Sequence, residues 1–108
     1  MEYNKLTDIE LIERITGYDK EALSELYNRY STLLFTLIKK IVADEKIAGT
    51  ILIEVFTIIF KKAKSFDFST DNPYVWIVSI ARNRAVDSLR RNRSSASTKE
   101  FYNSNYED

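Results

Sequence analysis

Residues 19–42 read DKEALSELYNRYSTLLFTLIKKIV, and this stretch decides the fold. Ala22, Leu23, Leu26, Tyr27, Tyr30, Leu33, Leu34, Leu37, Ile38, Ile41 and Val42 recur at spacings of three and four, the period of one apolar helix face. A half-buried strand would alternate every second residue instead. Asp19 stands where an N-cap belongs, so the spacing predicts a single long amphipathic helix.

The same grammar repeats outward on both sides. Upstream, Thr7-Asp8-Ile9-Glu10 has the spacing of a capping box, and a short helix should follow it and stop at Gly17. Downstream, Asp44 caps a third helix that carries Ile47, Ala48, Ile51, Leu52, Val55, Phe56, Ile59 and Ala63 on one face. Lys61, Lys62 and Lys64 close it with the charge that a helix C-terminus prefers. Ser65 to Asn72 is turn chemistry, and Asn72-Pro73 is a cap followed by proline at the first helical position. A fourth helix is expected from Pro73 to about Asn92. The fold class is therefore all-α, a compact four-helix bundle over residues 1–93, and the Ser/Asn-rich residues 94–108 read as a polar linker or tail.

Composition narrows the chemistry. The 108 residues suit one domain, since domains run to about 100–200 residues. Without Cys or His there is no disulfide framework, no thiolate or imidazole metal site and no imidazole base, so no catalytic residue, metal or cofactor is expected. Asp44, Asp67 and Asp71 are better explained as caps and turns than as a hydrolytic centre, and the chain is not expected to be an enzyme. The start, MEYNKLTDIE, has neither a basic run nor an apolar one. The most apolar stretch, Ile51 to Phe60, is broken by Glu54 and falls short of the roughly 20 residues that cross a bilayer. A cytoplasmic location with no membrane partner is the expectation.

The charges cancel overall but not locally. Residues 1–60 hold 7 basic against 10 acidic side chains, residues 61–93 hold 8 against 3, and residues 94–108 hold 1 against 3. Such polarity fits an acidic partner for the basic segment, and it equally fits basic residues gathering at helix C-termini. Two further features exceed what packing needs. Thr50, Ile53, Thr57 and Phe60 line up away from the core face of the third helix, a candidate docking stripe unless the first helix covers it. Phe66, Phe68, Tyr74 and Trp76 lie close in sequence to Lys61, Lys62, Lys64, Arg82, Arg84, Arg90, Arg91 and Arg93. Aromatic faces beside cations suit single-stranded nucleic acid, because bases stack and phosphates need countercharge. Phe66 and Trp76 could instead belong to the core.

Several stretches taken together resemble region two of bacterial sigma factors of the extracytoplasmic-function (ECF) group. They are Gly17-Tyr18-Asp19-Lys20-Glu21-Ala22, Leu26-Tyr27-Asn28-Arg29-Tyr30, Ile53-Glu54-Val55-Phe56, and the run from Trp76 to Arg91 containing Ile80-Ala81-Arg82-Asn83-Arg84-Ala85. The resemblance spans about Leu6 to Arg93. It implies a sigma region-two bundle that docks the coiled coil of the RNA polymerase largest subunit, helps melt the promoter, and captures unpaired non-template bases of the minus-ten element. Carried onto this sequence, the polymerase-binding residues are Thr50, Ile53, Glu54 and Thr57. The DNA-binding residues are Phe66, Tyr74, Arg82, Asn83, Arg84, Asp87, Arg90 and Arg91. The third helix departs from the family pattern, with Gly49 and Thr50 where acidic residues are usual and Ile53 where glutamine is. Family members also carry a C-terminal helix-turn-helix domain for the minus-thirty-five element, toward which residues 94–108 would lead. An anti-sigma factor is a further partner that the resemblance implies. The other function considered is a sigma-like interaction module that binds polymerase or an anti-sigma factor without reading DNA.

Overall fold

The computed structural model describes the backbone of residues 1–106 and the side chains of residues 1–91. Four α-helices follow one another: α1 Asp8–Ile15, α2 Lys20–Val42, α3 Glu45–Lys62 and α4 Pro73–Tyr106. Each of the four helix starts is capped as its sequence requires. Thr7 and Glu10 exchange hydrogen bonds of 2.9 and 3.1 Å, and those bonds hold the Glu10 carboxyl below the usual carboxylate range. Asp19 accepts from the amides of Glu21 and Ala22, Asp44 from Ile47, and Asn72 from Val75.

The core stripe of α2 is narrower than the sequence pattern. Ala22, Leu26, Tyr30, Leu34, Ile38 and Val42 are buried at strict four-residue intervals, while Tyr27 and Leu33 at its edges are exposed. Against it pack Leu11 and Ile15 of α1, Ile51, Val55 and Ile59 of α3, and Ile77, Ala81 and Ala85 of α4. The alanines let α4 approach closely. Arg29 ties the N-terminus to this frame, pairing with Asp8 and Glu25 at 2.9 and 2.8 Å and donating to the Tyr3 and Asn4 carbonyls. Tyr30 donates its hydroxyl to the same Asp8, and burial with that bond pushes the phenol pKa up.

Two boundaries differ from expectation. The first helix ends at Ile15, and the reversal is made by Tyr18, whose φ of 63° is left-handed, rather than by Gly17. A non-glycine residue pays for that conformation, and here the Tyr18 ring gains partners: Phe60 at 5.4 Å and the Lys64 ammonium at 5.7 Å. The second difference is that α4 continues to Tyr106, past the expected end near Asn92. No glycine or proline follows Pro73, so nothing in the backbone chemistry stops it. Of the polar tail, residues 107–108 and the side chains from Asn92 on, Arg93 included, lie outside the described residues. No helix among the described residues is long and apolar enough to cross a membrane.

Candidate polymerase and nucleic-acid faces

The joint between α3 and α4 is closed by its own hydrogen bonds. A 3-10 turn, Ala63–Ser65, leads into Phe66. Asp67 then accepts from Ser69, which holds its carboxyl below the usual range, and its own amide donates to Asp71 at 2.8 Å. Asp67 and Asp71 are thus turn residues and Asp44 a cap. Among the described residues no group of three or more acidic side chains could hold a metal.

This turn sends one aromatic ring in and one out. Phe66 is 3% exposed and meets Trp76 edge-on at 5.3 Å and Phe68 at 4.9 Å. The ring expected as a DNA contact is thus buried with the core in this structure, with little surface open to a base. Phe68 remains exposed instead. Sequence alone could not separate the two rings, because both flank Asp67 at equal distance and only the turn decides which points inward.

The DNA-side residues of α4 divide around the helix. Asn83 is exposed and lines a shallow cleft with Trp76, Lys62, Ser65, Arg84 and Asp87. Tyr74 is also exposed, but it leans on Tyr30 at 6.3 Å, beside Leu33, Leu37 and Val78. Nine residues of helix separate Tyr74 from Asn83, which is half a turn in angle, so the structure does not bring them together. Arg82 and Arg90 are exposed. Arg84 is paired with Glu54 of α3 and with Asp87 at 3.4 Å, and Arg91 reaches Asp87 at 3.1 Å. Lys62 is the cleft residue that sequence reasoning left out of the site. Its signal was the run Lys61-Lys62-Lys64 beside the joint aromatics, which belongs to the basic patch of the sequence although none of the three stands among the carried-over DNA residues.

On α3 the stripe is open. Ile53 is 67% exposed, so α1 does not cover it, and only Phe60 is partly shielded, by Tyr18. Thr50 and Thr57 donate their hydroxyls to the Lys46 and Ile53 carbonyls of their own helix, which turns those donors away from a partner and leaves the surface more apolar than its residue types suggest. The four predicted residues then split. Ile53 and Thr57 line an apolar groove with Leu23, Tyr27, Phe56 and Phe60, whereas Thr50 and Glu54 face a separate cleft toward Arg84 and Ser88 of α4.

The family model for sigma-70 region 2 matches residues 26–95, from the first turns of α2 into the far part of α4. The chain belongs to the sigma-70 region 2 family. Over 80 residues it is 25% identical to "ECF RNA polymerase sigma factor SigK" of Mycobacterium bovis (strain BCG / Pasteur 1173P2), covering 74% of this chain and 43% of the relative. A SigK of Mycobacterium tuberculosis (strain ATCC 25618 / H37Rv) matches to the same extent. That of Mycobacterium sp. (strain KMS) is 22% identical over 97 residues, 89% of this chain and 50% of the relative. The chain thus spans about half the length of the curated relatives it matches. No solved structure matches it significantly. Membership in a sigma region-two family agrees with the helical bundle and with the expectation of a non-enzymatic protein. The matched span contains both the open α3 stripe and the Asn83 face.

Proposed function

We propose that the chain is the region-two domain of an ECF sigma factor, which docks core RNA polymerase through α3 and holds unpaired minus-ten promoter bases against α4. The observation that carries this reading is the exposed Ile53 stripe on the same bundle as the exposed Asn83 face. Such a stripe suits the side of a partner helix, which would bury Ile53 beside Tyr27 and Phe60. Asn83 can donate to and accept from a base edge, and Arg82, Arg90 and Lys62 offer countercharge to phosphates.

Capture of core polymerase tests the first half. The unmodified chain should retain polymerase on beads, and Ile53→Asp should lose most of it while keeping its helical circular dichroism and melting temperature, since the side chain is already in water. Equal capture by both would make the stripe a mere surface. The second half rests on Asn83→Ala, which should relax base preference at one position by about 1–3 kcal/mol. A base-preference profile measured on polymerase carrying the variant, and identical to the parent's, would remove Asn83 from that role.

Burial of Phe66 favours a second reading, an interaction module for polymerase or an anti-sigma factor without DNA recognition, because it removes one ring from the stacking surface. Salt-dependent binding of single-stranded oligonucleotides separates the two readings. A module of that kind shows no such binding, whereas a DNA-reading domain loses affinity as salt rises.

A further inference from the structure

Gly49 stands in the second turn of α3, where its backbone is helical and has no positive φ. A Cβ added to it would meet nothing within 4 Å. The fold therefore does not ask for glycine there, and a helix interior is weakened by it, since only proline is a poorer helix former. Gly49 precedes Ile53 by four residues and Thr57 by eight, which puts all three on the open side of α3, with about 6 Å of rise per step. The polar groups of this side are already engaged. The Thr50 and Thr57 hydroxyls donate within their own helix, and the Glu54 carboxylate is turned to Arg84 of α4. Lys46 and Lys20, which border the stripe, are exposed cations. Among the described residues, the centre of this side thus offers bare backbone and apolar surface and no uncommitted carboxylate.

We propose that Gly49 is the point at which a docked helix of core polymerase comes closest to α3, and that docking here rests on apolar contact around Gly49 and Ile53 rather than on ion pairs. This inference rests on the reading of α3 as the polymerase face, and it adds the kind of contact that the face makes. Packed helices lie about 8–10 Å apart, a distance set by the side chains at the crossing. A residue without Cβ permits the short end of that range, and the exposed Ile53 one turn on supplies apolar area to bury. The partner that fits is the side of a helix with small or aliphatic residues at the crossing. A cation brought there would lose its water without meeting a carboxylate. Contact of this kind is little affected by salt, whereas pairing between exposed charges is screened.

Capture of core polymerase free of nucleic acid tests the proposal, with the unmodified chain, Gly49→Ala and Gly49→Leu compared at about 0.1 M and about 0.5 M salt. The melting temperature of each chain is measured beside it. Both substitutions should raise that temperature, Gly49→Ala by about 2–8 °C, because each replaces glycine inside a helix with a better helix former. Polymerase affinity should fall in spite of this gain, by about threefold or more for Gly49→Ala and about tenfold or more for Gly49→Leu, whose side chain takes the partner's place. The parent's affinity should change by less than about threefold between the two salts. A lowered melting temperature would mean that the fold itself needs Gly49, and equal affinity of the parent and Gly49→Leu would mean that no backbone comes close there. Either result overturns the proposal, as does a parent affinity that collapses at the higher salt. Those results leave polymerase docking itself in place. Failure of the polymerase reading looks different: the unmodified chain then captures no polymerase at either salt, and this inference falls with it.

Discussion

Phe66→Ala should destabilise the domain by about 3–5 kcal/mol, a large part of the roughly 5–15 kcal/mol that holds a domain of this kind together. The ring is almost wholly buried, and it joins Phe68 and Trp76 in an edge-on cluster under the α3–α4 joint. Removing it leaves a void beneath a loop that is otherwise held by the hydrogen bonds of Asp67 and Asp71, and those bonds are exposed. Urea denaturation of parent and variant checks the magnitude. If Phe66 were a DNA contact rather than a core residue, the variant would lose oligonucleotide binding with little change in stability. The expected result is the reverse: at low temperature, with the variant still folded, binding per folded molecule should survive.

Ile77→Ala carries the second large effect, about 2–5 kcal/mol. Ile77 is fully buried one turn into α4, in line with Ala81 and Ala85 against α2 and α3. The two alanines contribute little area of their own, so the isoleucine anchors the N-terminal half of the helix that carries Asn83. The loss should appear in denaturation midpoints without a change in the urea slope, because the unfolded chain exposes nearly the same surface. Promoter binding by polymerase loaded with the variant should fail at a lower temperature than the parent's, while base preference below that temperature stays the same. A changed preference in a fully folded variant would mean that Ile77 sets the orientation of Asn83 in addition to holding the helix.

Much of the molecule was determined by the sequence by itself, because the deciding forces act within a few residues. Thr7, Asp19, Asp44 and Asn72 each cap the amides two or three positions ahead, so helix starts could be read from composition and spacing. The apolar period likewise placed Leu26, Leu34, Ile51 and Val55 in a core, since helix geometry alone puts them on one face. The motif run around Asn83, which supports membership in the sigma-70 region 2 family, is also a property of the chain rather than of its packing.

What only the tertiary structure decided depends on contacts between residues far apart in the chain. Whether Ile53 is covered turns on where α1 lies, and α1 packs elsewhere. Which of Phe66 and Phe68 enters the core turns on the position of Trp76 across the joint. Tyr18 can take the left-handed turn in place of Gly17 because Phe60 and Lys64, more than forty residues away, receive its ring. Glu54 and Arg84 meet across 30 residues of sequence, and nothing local to either names its partner. Short-range hydrogen bonding and periodicity therefore wrote the helices, and the packing of α3 against α4 decided which of their side chains stand in solvent and which neutralise one another.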